Sequence, residues 1–358
     1  MKISKASFSD QQHAAVKSFL ENTGNRYVYG RTNEARAVAA LLDIDGFIDD
    51  FTEEKSFLGK PVLTLAELPE NACVLSTVVQ AFAISALKKL EASGRTFIDY
   101  FAFKVLSGLA LPGIPYWTGA KEHYESHPQD YQAVYDALSD DESRDVFTRL
   151  LSFRLNYDIS QMYCFTANLL GMYFEPFLNV QSASPVFYDV GAYDGYNSDH
   201  FSRIYPGMHS AVLFEPIPDQ AAKLRQKYST DSRFVIHELA LSDHEGEVKF
   251  SVNSTASRIT DSNEGISITT TTLDSFFKGS GLRPDILKMD IEGAEISALK
   301  GAKKLIQETT PNLAVSVYHA ASHLTEAFGL ISSLHPSYKY YLRHYTEGYT
   351  ETVLFAVP

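Results

Sequence analysis

Cysteine is nearly absent from this chain, with Cys73 and Cys164 the two among 358 residues. Two thiols make neither a disulfide framework nor a zinc-ligand set, so both are expected to be buried, and a reducing cytoplasm is the simplest compartment. Missing too is any apolar run of the ~18 residues a membrane span needs. The N-terminal MKISKASFSDQQ lacks the apolar core of a secretory signal. No cluster of Lys and Arg interrupts the acidic excess. With 31 basic against 44 acidic side chains the net charge is -13. Such a chain repels phosphate backbones, which argues against nucleic acid as a partner and favours neutral or cationic ligands. There is no internal repeat and no low-complexity tract.

What is present is enough apolar residue, 45% of the chain, for a large core. At roughly 150 residues per domain the length suggests two domains. In the first third, RYVYG (26–30) reads as a strand ending at a glycine. NEARAVAALL (33–42) reads as a helix capped by Asn33. DGFIDD (45–50) and the stretch 73–79 supply further strands. Strand and helix alternate, so residues 1–110 are expected to form a Rossmann-like α/β domain with a parallel sheet. Residues 111–184 are acidic, aromatic and helical, a connector. In it SDDESRDVF suggests a capping box from Ser139 to Glu142, and NVQSASP (179–185) reads as a linker.

From residue 185 to 358 the α/β rhythm returns. Strands are expected at 186–190, 211–215, 234–241, 286–291, 312–318, 340–345 and 352–357, with 247–252 a further strand or an extension of the loop before Thr269. Helices are expected at 197–204, 218–228, 293–307 and 323–334. Only a short GYTE turn separates the last two strands, so they should pair as an antiparallel hairpin.

The chemistry gathers at strand ends. VFYDVGAYDGY (186–196) runs an apolar strand into Asp189, Gly191, Ala192, Tyr193, Asp194 and Gly195. Ligands of open α/β sheets sit beyond the carboxyl ends of strands, and glycine there lets the chain turn tightly and lets a ligand near the backbone. A dinucleotide site calls for G-x-G-x-x-G facing a pyrophosphate. Here the spacing is G-x-x-x-G beside two carboxylates, which repel phosphate and suit the sulfonium and ammonium groups of S-adenosylmethionine. The next strand ends in Glu215 and Pro216, an acid suited to ribose hydroxyls. ELALSDHEG places Ser242 and Asp243 at an adenine edge or in an ordinary turn. In DILKMDIEGAE, Lys288, Asp290 and Glu292 recur at period two, which puts them on one sheet face.

These segments, with TTLDSF and ILKMDIEGAEISALKGA, resemble the FkbM family of S-adenosylmethionine-dependent methyltransferases, over about Val186 to Pro358. The resemblance implies a class I methyltransferase sheet of seven strands with a terminal antiparallel hairpin. It implies O-methylation of a sugar, glycan or natural-product hydroxyl. It places Asp189, Gly191 and Gly195 along the cofactor, Glu215 on ribose, Asp243 near adenine, and Asp290 with Glu292 near the transferred methyl. Short members often carry Asn-x-Gly where this chain has Tyr193-Asp194-Gly195, and many carry a Glu before the His of SVYHAASHL (316–324). His319 is the first candidate for a general base, Asp290 its rival, and His323 and His344 follow. Asp290 and Glu292 alone are too few donors to assign a metal. The acceptor is read as a small molecule or saccharide.

Two other readings stand beside this one. A nicotinamide-dependent sugar-nucleotide oxidoreductase built on the first domain lacks the glycines, since Arg31, Thr32 and Asn33 follow Gly30, and no Tyr-x-x-x-Lys pair is placed for it. A non-catalytic nucleoside-binding protein is opposed by the intact acidic set. The first domain either positions a sugar, mediates homodimerisation or serves as scaffold, and Arg31 is available to a ligand phosphate. Tyr116, Trp117, Tyr124, Tyr131, Tyr135, Tyr157 and Tyr163 either line a sugar site or pack helices.

Overall fold

The computed structural model describes residues 1–5, 7–21, 25–178, 180–253, 256–259 and 266–358; Asn179, which opens the expected linker, lies outside them. The chain divides into two compact units. One comprises Met1–Glu122, Asp145–Leu169 and His344–Thr350, the other His123–Arg144, Leu170–Arg343 and Glu351–Pro358. No helix among the described residues is long and apolar enough to cross a membrane.

The first unit is built on a six-stranded sheet in the spatial order Ser56–Phe57, Lys60–Leu63, Gly46–Ile48, Arg26–Tyr29, Cys73–Ser76, Thr96–Asp99. The last five run parallel and the two-residue edge strand is antiparallel. Side chains alternate between two cores, as period two demands. Val28, Phe47, Cys73, Leu75 and Ile98 enter one; Tyr27, Tyr29, Ile48 and Val74 enter the other. Both faces are covered, so these strands read as apolar runs. Helix Asn33–Leu41 is capped by Thr32, whose side chain accepts from the Ala35 amide, one residue before the expected cap. Gly30 has φ +100°, and Thr77 and Val78 stand 3.2 Å from where a Cβ would lie. Arg31 pairs with Asp49 at 2.8 Å and Glu54 at 2.5 Å, so its charge is balanced by the loop that follows strand Gly46–Ile48. Trp117 is buried against Phe101, Phe153, Tyr157 and Tyr349. Of the two thiols, Cys73 is buried but Cys164 is exposed, against expectation, because it follows a short helical turn on the surface.

The second unit holds a seven-stranded sheet: β1 Val186–Val190, β2 Ser210–Phe214, β3 Phe234–His237, β4 Ile286–Met289, β5 Asn312–Ser316, β6 Lys339–His344 and β7 Thr352–Val357. The spatial order is 6-7-5-4-1-2-3. β5, β4, β1, β2 and β3 are parallel, and β7 is antiparallel to β5. This is the class I methyltransferase sheet. Order reverses between β4 and β1, which puts the ligand crevice at their carboxyl ends.

Several elements differ from expectation. The strand 234–241 is two: after β3, Ala240–Leu241 joins a separate four-stranded sheet with Ile266–Thr271, Gly246–Asn253 and Ala256–Ile259. The helix 293–307 is broken into Glu295–Lys300 and Lys303–Thr309. A Cβ at Gly301 would fall 2.0 Å from the Ser242 carbonyl, and the Gly301 carbonyl accepts from the Asp274 amide, so the chain leaves the helix there. The capping residue of helix Asp141–Asn156 is Asp140, which accepts from the Ser143 amide, while the Ser139 amide donates to the Tyr340 carbonyl.

Candidate active site

Register fixes the first contact. Asp189 of β1 and Lys288 of β4 are paired neighbours, and burial leaves them 0% and 1% exposed. Their charged atoms lie 3.0 Å apart. The second Asp189 oxygen accepts from Ser198 Oγ at 2.7 Å. Lys288 Nζ also donates to the carbonyls of Gly191 (2.6 Å) and Val190 (3.2 Å). Lys288 thus ties the β1 tip from beneath. The Asp189 side chain is fully buried, held between Lys288 and Ser198.

Above this pair the loop turns at two glycines, and their constraint is internal. Gly191 has φ +81°, and a Cβ there would fall 1.9 Å from the Asp290 carbonyl oxygen. Gly195 has φ +77°, and a Cβ there would meet Tyr228 Oη at 2.4 Å. Each glycine lets another part of the chain approach. Tyr193 projects outward at φ +47°. Its amide donates to Glu215 (2.9 Å), whose other oxygen takes the Ile217 amide (2.9 Å). Burial raises the Glu215 carboxyl, with the two amides pulling the other way. Asp194 accepts from the Tyr196 amide at 2.9 Å, just ahead of helix Tyr196–Ile204, which Gly195 caps. Ala192 is buried and Pro216 follows Glu215. Ser242 Oγ lies 3.2 Å from Ser297 Oγ, which also accepts from the Asp243 amide. Asp243 is held low by its hydrogen bond to His244.

The β4 tip carries the acids. β4 ends at Met289, and Glu292 takes φ +55° with Gly293 at +106°, so only Lys288 of the period-two set is in the strand. The Asp290 and Glu292 side chains remain 21% and 41% exposed. Tyr173 Oη donates to Asp290 at 2.8 Å and lies 3.0 Å from Ser316 Oγ. Behind them His319 is sealed, its side chain 0% exposed. Its Nε2 is 3.7 Å from Asp290 and 3.6 Å from Glu292, and its Nδ1 is 3.0 Å from Glu295. His323 Nδ1 lies 3.4 Å from the other Glu295 oxygen. Burial works against a charged His319, but Glu295, Asp290 and Glu292 outweigh it and lift the imidazole to about 9. Glu351, which accepts from Tyr318 Oη at 3.2 Å, is pushed up to about 8 by burial and by Asp290.

The structure therefore brings Asp290, Glu292, His319 and His323 together. His344, the last residue of β6, is not among them; its Nε2 lies 3.0 Å from the Gly348 carbonyl, and burial lowers it to about 3. Glu295 and Tyr173 are missing from the sequence reading. Glu295 had a signal, as the third acid within D-I-E-G-A-E. Tyr173, 117 residues before Asp290, had none.

Residues 189–345 match the family model described as the methyltransferase FkbM domain. This stretch is an FkbM methyltransferase domain. A curated relative, the 2-O-methyltransferase NoeI of Sinorhizobium fredii (strain NBRC 101917 / NGR234), is 26% identical over 152 residues; the match covers 36% of this chain and 62% of that protein's length. The crystal structure of methyltransferase FkbM from Methylobacillus flagellatus KT shares the fold with a TM-score of 0.73 at 22% identity, covering 96% of this chain and 93% of that one.

The crevice of the FkbM domain fits S-adenosylmethionine. Lys288 and Lys227, the cations that touch the β1 loop, are each paired with a carboxylate, Asp189 and Asp199, so neither is given to a pyrophosphate. Glu215 retains oxygen lone pairs beyond the two amides for ribose hydroxyls.

Proposed function

We propose that this protein is an S-adenosylmethionine-dependent methyltransferase that methylates a hydroxyl of a small-molecule or saccharide acceptor. One observation carries the reading. The Gly191 turn packs on the Asp290 carbonyl, so the loop that would hold the cofactor and the tip that bears Asp290 and Glu292 border the same crevice. The name of the relative NoeI, a 2-O-methyltransferase, supports a hydroxyl acceptor.

Bound in the crevice, S-adenosylmethionine supplies an electrophilic methyl on a sulfonium. The residues do the remaining work. Glu215 accepts hydrogen bonds from ribose, and Ser242 with Asp243 borders the adenine. Asp290 is the proton acceptor for the incoming hydroxyl. It is the more accessible of the two groups first considered for that role, since the His319 side chain is fully enclosed. Tyr173 fixes the Asp290 carboxylate by its 2.8 Å bond, and alignment of the acceptor oxygen supplies much of the rate.

Calorimetry tests this with S-adenosylmethionine and S-adenosylhomocysteine on the full chain and on Glu215→Gln, with NADPH as control. Micromolar binding of both adenosyl ligands, weakened at least tenfold in the variant, is the expected result. No adenosyl binding, or NADPH binding in its place, overturns the proposal. Transfer of labelled methyl to a panel of sugars and hydroxylated small molecules then identifies the acceptor.

A further inference from the structure

We infer that Glu295, His319 and His323 form a binding site for one divalent transition-metal ion, with zinc the reference occupant. The three come from separate elements. Glu295 opens helix Glu295–Lys300, His319 lies just beyond β5, and His323 opens helix His323–Leu334. All three are buried, and each offers one ligand atom within 4.8 Å of the others.

Donors held about 2.1 Å from one centre at right or tetrahedral angles stand roughly 3.0 to 3.4 Å apart. His319 Nδ1 stands 3.0 Å from one Glu295 oxygen and His323 Nδ1 3.4 Å from the other, so the carboxylate faces an imidazole nitrogen on each side. A hydrogen bond accounts for the first but is long for the second. Glu295 Oε2, fully buried, accepts no hydrogen bond from the protein, an expensive state for a carboxylate oxygen unless a cation faces it. Beyond the three donors, the far nitrogen of His319 faces Asp290 and Glu292 at 3.7 and 3.6 Å. Carboxylates behind a ligating imidazole are the usual second layer of a metal site and set the ring's orientation. Two imidazoles with one carboxylate favour zinc, cobalt, nickel, copper or iron over magnesium or calcium.

On binding, His319 gives up its second ring proton to solvent at Nδ1 and keeps the one at Nε2. That N–H still points at Asp290 and Glu292, so the ion acts by fixing the carboxylates that the acceptor meets. The site's existence does not depend on methyl transfer.

The test uses the full untagged chain carrying Cys164→Ser, which removes the exposed thiol as a competing ligand. After chelator treatment it is equilibrated with zinc, gel-filtered and assayed for metal. Cobalt(II) replaces zinc for visible absorption. About one zinc per chain and a cobalt d–d band are expected. Both should fall at least tenfold in His323→Ala and in His319→Ala, and persist in the control His127→Ala. Circular dichroism and S-adenosylhomocysteine binding report folding and cofactor binding separately. Uptake below about 0.1 equivalent by the Cys164→Ser protein, or equal uptake by the two histidine variants, overturns the inference. Should those variants fail to fold, the Cys164→Ser protein alone decides: a cobalt band with a zinc-dependent rise in Tm supports the site, and absence of both refutes it.

Discussion

Lys288→Met removes the cation from a carboxylate with no route to water. Asp189 is fully buried, the ammonium stood 3.0 Å away, and the Lys288 side chain is 2% exposed. Deleting one partner of such a pair costs about 3–5 kcal/mol, because the survivor stays desolvated and uncompensated. The carbonyls of Val190 and Gly191 also lose their donor, which favours the upper half of that range. For a unit of about 200 residues this lowers Tm by roughly 8–20 °C, at ~2–4 °C per kcal/mol. Asp189→Asn combined with Lys288→Met leaves neither charge buried, and Ser198 can still bond the amide oxygen. The double variant should therefore be milder than the sum of the singles by at least ~2 kcal/mol. Urea unfolding of the four proteins at pH 7 measures this. A loss below ~1 kcal/mol for Lys288→Met, or strict additivity, would show that the pair is not the tie described here.

Gly191→Ala should destabilise by roughly 2–5 kcal/mol, the sum of left-handed strain and overpacking, and should weaken S-adenosylhomocysteine binding, since the Asp290 carbonyl must move from 1.9 Å. Gly329→Ala, in helix His323–Leu334 with nothing within 4 Å of the new Cβ, should instead stabilise by about 0.5–1 kcal/mol; thermal unfolding separates the two. Tyr173→Phe should lower kcat at least several-fold with little change in cofactor Kd, because it frees the Asp290 carboxylate and leaves the β1 loop intact; unchanged kcat would remove Tyr173 from the mechanism. Burial opposes ionisation of Asp140, but Arg343 and Ser143 prevail and bring it from 3.8 to about 2. A lowered folded value gives stability that is present above about pH 4 and lost as pH falls toward 2. Between pH 5 and 2 the Tm gap between wild type and Arg343→Met should therefore close, and a constant gap would count against the pair.

Much of the second unit was legible because its signals are local. Apolar runs ending in an acid marked β1, β2 and β4, an apolar run ending at His319 marked β5, and the short turn before β7 marked its reversal. Two boundaries were misread for different reasons. The helix breaks at Gly301, where the Ser242 carbonyl, distant in sequence, packs against the backbone. β4 stops at Met289, and the chain then turns through Glu292 and Gly293, both at positive φ.

The sequence by itself determined the sheet, the crevice at its carboxyl edge and the acidic set that disfavours a dinucleotide, since periodicity, glycine placement and charge are properties of short segments. Tertiary structure alone decided what each acid does. Asp189 is buried against Lys288 because β1 and β4 register the two. Asp290 stayed accessible while His319 was sealed, and Glu295 and Tyr173 became their partners. Burial and pairing arise only when separate segments meet, and at these distances they outweigh what any residue's own chemistry announces.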